Sequence, residues 1–149
     1  MSTSVAPPSS VASGDGRPWW MTALAIVCLI AFLINVPRDL FFAETRQVEV
    51  WLGFEVKGWL ALATAPLHWA IFGVGAWAFW SRRSWVLRWA AAYFFYVAVS
   101  HLIWSEASPN GRGWPIGLAQ AIAFSAVGLL LLRAGARLTR EQTPKLTRQ

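Results

Sequence analysis

Four long apolar runs constrain this chain more than anything else in it. They read "PWWMTALAIVCLIAFLINV" (18–36), "GWLALATAPLHWAIFGVGAWAFW" (58–80), "SWVLRWAAAYFFYVAVSHLIWSE" (84–106) and "PIGLAQAIAFSAVGLLLLRAG" (115–135). A helix rising ~1.5 Å per residue needs ~20 residues to cross ~30 Å of hydrocarbon, and each run approaches that length. Lipid gives a backbone no hydrogen-bond partners, so the runs are expected as helices rather than open strands. Composition agrees: 56% of the 149 residues are hydrophobic and 13% charged, against roughly 25% charged in an average soluble domain. A soluble chain of this size has too little interior to hide so much apolar surface. The expected fold is an all-α integral membrane protein, four transmembrane helices in an antiparallel bundle.

Tryptophan and charge refine the arrangement. Trp19, Trp20, Trp59, Trp80, Trp85, Trp104 and Trp114 fall at or near span ends, where indole favours the headgroup layer. Trp69 lies mid-span and must pack within the bundle or against lipid. With the N-terminus inside, the inner segments hold Arg17, Arg82, Arg83, Arg88, Arg133, Arg137, Arg140, Lys145 and Arg148; the outer loops hold Arg38, Arg46, Lys57 and Arg112. Nine against four satisfies the positive-inside rule and predicts an N-in/C-in chain of a cell inner membrane, multi-pass. The same rule accounts for the net charge of +6, so no nucleic-acid partner is expected. Lipid bilayer is the expected surrounding, with a membrane protein partner or homo-oligomer as further associations.

Residues 1–17, rich in Ser, Pro and Ala, are expected as a disordered cytoplasmic tail, and 136–149 as a basic one. The first run is read as a retained helix, because "INVPRDL" offers no small-residue cleavage site. Pro37 is expected to end that helix, and Pro66 to kink the second. Cys28 is the lone cysteine, a small buried hydrophobe with no disulfide available. Between the first two spans lies a long outer segment, 37–57. Within it "VEVWLGFEV" alternates, with Val48, Val50, Leu52, Phe54 and Val56 on one parity. That suits either a strand, whose hydrogen bonds would then need a partner, or an amphipathic segment in the headgroup plane. In both forms it is expected to lid the outer helix ends.

The candidate site comes from polar residues within or beside the spans. Asn35, Thr64, His68, His101, Glu106 and Gln120, with Asp39 at the interface, fall in the outer half or near mid-depth. Such groups are costly in hydrocarbon and face the bundle interior. Counted from the "SRRS" turn, His68 and His101 differ in depth by four residues, ~6 Å at ~1.5 Å per residue. The two histidines serve as interhelical hydrogen-bond partners, as axial ligands of a b-type haem, or as a proton relay with Glu106 or Asp39. A Thr64–His101 bond is a further option. Arg38 and Asp39 are expected to pair with each other's neighbours or with Glu106 and Arg112. No metal site is expected, because no ligand pair sits at helical spacing. "FLINVPRDLFF" and "AAYFFYVAVSH", set in four spans, resemble in layout the EXPERA group of sterol-isomerase-related proteins over the middle of the chain. That likeness implies a lipid-binding pocket. The second span lacks the acidic residue expected of the group, so no catalytic residue is carried over. The function expected is binding of a membrane partner or a hydrophobic small molecule without catalysis and without a cofactor. The alternatives are a haem-carrying or proton-relaying redox component, or an enzyme acting on a lipid-like substrate.

Overall fold

In the computed structural model the described residues are 17–42 and 48–146. The expected N-terminal tail lies outside them but for Arg17. Four helices dominate: α1 (Trp19–Phe41), α2 (Trp59–Trp80), α3 (Trp85–Ala107) and α4 (Trp114–Leu146). All four are long and apolar enough to cross a membrane. Every one of them begins on a tryptophan, and Trp19, Trp59, Trp80, Trp85 and Trp114 are exposed, as indoles at a water–hydrocarbon boundary should be.

The chain is not purely helical. Val48–Trp51 (β1) and Phe54–Lys57 (β2) pair antiparallel, with Trp51 opposite Phe54 and Glu49 opposite Val56. The backbone bonds of one strand are met by the other. Leu52 (φ 50°) and Gly53 (φ 85°) make the two-residue turn with both residues left-handed, the geometry that matches the twist of a tight hairpin. Across that turn the alternation changes face. Val48 and Val50 lie on one side of the ribbon, Phe54 and Val56 on the other, so the shared parity of the five apolar residues is not a shared face.

Consecutive helices run antiparallel. Gly73 and Gly75 of α2 face Phe32 and Cys28 of α1; Gly117 and Gly135 of α4 face Ser105 and Leu87 of α3. Backbone contact is extensive within the α1–α2 and α3–α4 pairs and sparse between α2 and α3. At the end near Arg82 the two pairs close on one another. There Met21, Ala25, Ala78, Phe79, Val86, Leu87, Ala91 and Leu131 form a buried apolar cluster, whose alanines let the helices approach closely. At the opposite end the hairpin packs on both α2 and α3.

The hairpin does more than lid the helix ends. Its turn reaches Tyr96, midway along α3, whose hydroxyl accepts the Leu52 amide N–H at 3.1 Å. Gly53 lies against Ile103 and the Ser100 carbonyl, where any Cβ would collide. These contacts bury Gly53, while Leu52 and Phe54 on either side of it stay exposed.

Pro37 does not end α1, which continues to Phe41. A proline removes one amide donor and disturbs the turn before it. The short turn after it is held by the Phe42 N–H bonding the Arg38 carbonyl and by Asp39, which is buried. Pro66 likewise sits inside α2. The last helix extends past the apolar run, so residues 136–146 of the basic tail are helical.

Candidate functional site

Where α2 and α3 part, β1 and the hairpin end of α1 border a half-open cavity of about 400 Å³. Its walls carry Asn35 and Arg38 from α1, Glu49 from β1, His68 and Phe72 from α2, and Tyr93, Tyr96, Ser100, His101 and Trp104 from α3. Both histidines therefore line one space, although 33 positions apart in a chain whose depth count set them a helical turn out of register.

His68 is fixed on two sides. Its Nδ1 donates to Glu49 Oε2 at 2.8 Å, and its ring stacks on Trp51 at 4.5 Å between centroids, 11° from parallel. Trp51 is held in turn, its Nε1 donating to Thr64 Oγ1 at 3.0 Å. The Thr64 hydroxyl bonds back to the Leu60 and Ala61 carbonyls of its own helix. Thr64 thus serves His68 through the indole, and the expected Thr64–His101 bond is replaced by Thr64–Trp51. Because Glu49 engages Nδ1, that nitrogen carries a proton and Nε2 is the atom left for a ligand. His101 is held differently. Its ring lies 5.2 Å from Phe124 of α4, and its buried Nδ1 has no hydrogen-bond partner among the described residues.

The charges at the α1 end are satisfied locally. Arg38 donates to Asp39 Oδ1 at 3.1 Å, and Asp39 Oδ2 accepts from Trp69 Nε1 at 3.0 Å. Arg38 and Asp39 pair with one another rather than with Glu106 or Arg112, and mid-span Trp69 packs within the bundle as their partner. Asn35 lines the cavity while its Nδ2 donates to the Ala31 carbonyl.

On the far side of the hairpin Glu55 ties it to α3. Its carboxylate accepts from Trp104 Nε1 at 3.2 Å, from the Ser108 hydroxyl and from Asn110 Nδ2, and it pairs with Lys57. The Ser108 hydroxyl first, then the Asn110 amide, the indole and the ammonium, together outweigh desolvation and pull the Glu55 pKa down to about 2. These bonds favour the charged form.

Of the residues singled out from sequence, His68, His101 and Asn35 line the cavity; Thr64 and Asp39 support it from behind. Glu106 is exposed and Gln120 sits half-buried on α4; neither belongs to the lining. The carboxylate that meets His68 is Glu49, which sequence reasoning left on the outer loop. Among the described residues no three His, Cys, Asp or Glu side chains gather to hold a metal ion. No family model, no curated protein and no solved structure matches this chain.

Proposed function

We propose that this is a multi-pass inner-membrane protein, both termini cytoplasmic, that binds a hydrophobic small molecule in the cavity under its hairpin. The observation that carries the reading is the cavity itself, where polar side chains from three helices and a strand converge within aromatic walls. Ligand sites are concave, largely apolar and carry a few convergent polar groups. The sparse contact between the two helix pairs supports entry from the bilayer, and the nine-to-four bias of basic residues supports the orientation. Of the two functions expected from sequence, a built cavity favours the small molecule over a docked protein.

The test is mass spectrometry of lipid extracts from detergent-purified protein. A co-purifying molecule should appear with the native chain and fall away in Val97→Trp, which fills the cavity from α3. An extract identical for both chains would refute the reading. Labelling of single cysteines placed at 83 and 110, in a Cys28→Ser background, checks the orientation: position 110 should react from outside intact cells and position 83 should not.

A further inference from the structure

The charge arrangement of the cavity narrows its ligand. Each formal charge among the described lining residues already has a protein partner. Arg38 is neutralised by Asp39, to which it donates through both Nε and Nη2. Glu49 is met by His68 at 2.8 Å, and both side chains are mostly buried. A bare carboxylate in such surroundings is expensive, and the His68 N–H meets that of Glu49 directly. Among the described lining residues an anionic head would find no cation, and a cationic head no carboxylate, without a protein partner already.

What stays available is hydrogen bonding without charge. Nε2 of His68 is left to the cavity by the Glu49 bond. The hydroxyls of Tyr93 and Ser100 and the ring of His101 complete a polar wall, while Phe72, Val97 and Trp104 supply apolar surface. A hydroxyl matches Nε2 in either protonation state of the imidazole, because it both donates and accepts.

We infer that the cavity selects an amphiphile with an uncharged, hydroxyl-bearing head, and that the Arg38–Asp39 and Glu49–His68 pairs exclude charged heads by leaving no counter-ion free. The inference rests on the reading that the cavity holds a hydrophobic small molecule. Exclusion of this kind comes from unpaid desolvation of the wrong head rather than from extra attraction for the right one.

The experiment uses three probes with one tail: decanol, decanoate and decyltrimethylammonium. Each is titrated into the purified full chain at neutral pH. Binding is read from tryptophan fluorescence, since Trp104 lines the cavity and Trp51 stacks on His68. Decanol should bind at least about tenfold more tightly than either ion, a gap of ~1.4 kcal/mol. Asp39→Asn, which frees Arg38, should raise decanoate affinity relative to decanol about tenfold. Decanoate or decyltrimethylammonium binding the native chain as well as decanol would overturn the charge argument while leaving the cavity reading intact. An Asp39→Asn chain that gains nothing for decanoate relative to decanol would also overturn it. No binding of any probe, together with extracts that Val97→Trp does not change, would refute the cavity reading itself.

Discussion

The two ends of the bundle are held together by different chemistry. Near Arg82 the helices meet through alanines and close-packed Phe79, Val86, Leu87 and Leu131. At the hairpin end α2 and α3 are bridged by a β-ribbon through polar contacts: Glu49 to His68, Trp51 to Thr64, Leu52 to Tyr96 and Glu55 to Ser108. Between helices in lipid there is no hydrophobic drive, so packing and hydrogen bonds must do the joining. One end relies on close apolar packing. The other relies on hydrogen bonds and borders a half-open cavity. The packed cluster and the cavity are therefore separate regions of the bundle.

The hairpin seat should be the easiest part to break. Gly53→Val places a β-branched side chain at a left-handed position and drives it into Ile103, at about 3 kcal/mol. The helical circular dichroism should persist while amide exchange at 48–57 accelerates and probe binding is lost. Leu87→Ala acts at the other end. Leu87 is fully buried, so its truncation should cost about 2 kcal/mol, lowering the melting temperature in detergent without changing the affinity for decanol. Equal damage to binding by both substitutions would show that the two ends are not separable. His68→Leu should cost less, about 1–2 kcal/mol, by leaving Glu49 without its partner. The expected signs are a shifted Trp51 emission and weaker decanol binding at nearly unchanged helicity.

The smallest effect is one of pH. The Glu55 pKa, near 2 in the folded chain, lies below its ordinary value of 4.5. The contribution of its bonds is complete above pH 4.5 and is lost as the pH falls toward 2. Amide exchange at Ser108–Asn110, read at pH 3 and pH 6, should speed up in acid beyond its intrinsic pH dependence. In Glu55→Gln that excess should vanish.

Much of this was legible in the residues, and what was not has physical reasons. The helices announce themselves because a 20-residue apolar run has few alternatives in lipid, and tryptophans mark their ends. The placing of polar groups in one half pointed to His68, His101 and Asn35. Glu49 was hidden because the hairpin lacks a turn signature. "LG" replaces the asparagine–glycine pair that normally marks such a turn, so the alternation reads as one element rather than two. With the ribbon unseen, a loop carboxylate had no route to a mid-span histidine. The depth count misled about His68 and His101 for a related reason: it measures height along helices, and a cavity between parted helices accommodates a full turn of offset. Arg38 and Asp39, adjacent in sequence, were expected to pair with each other's neighbours or with Glu106 and Arg112, because Pro37 was taken as a stop. Continued helix brings Asp39 round to Trp69.

The Leu52 amide has its partner 44 residues downstream, on a helix that is translated later. During synthesis the ribbon therefore lacks its α3 partner when it leaves the ribosome. Until Tyr96 follows, its seat is at most half made, on Thr64 and His68 of α2. Full docking of the ribbon then has to follow the making of α3, and a nascent chain cut short before α3 should expose residues 48–57 to proteases more than the finished protein does.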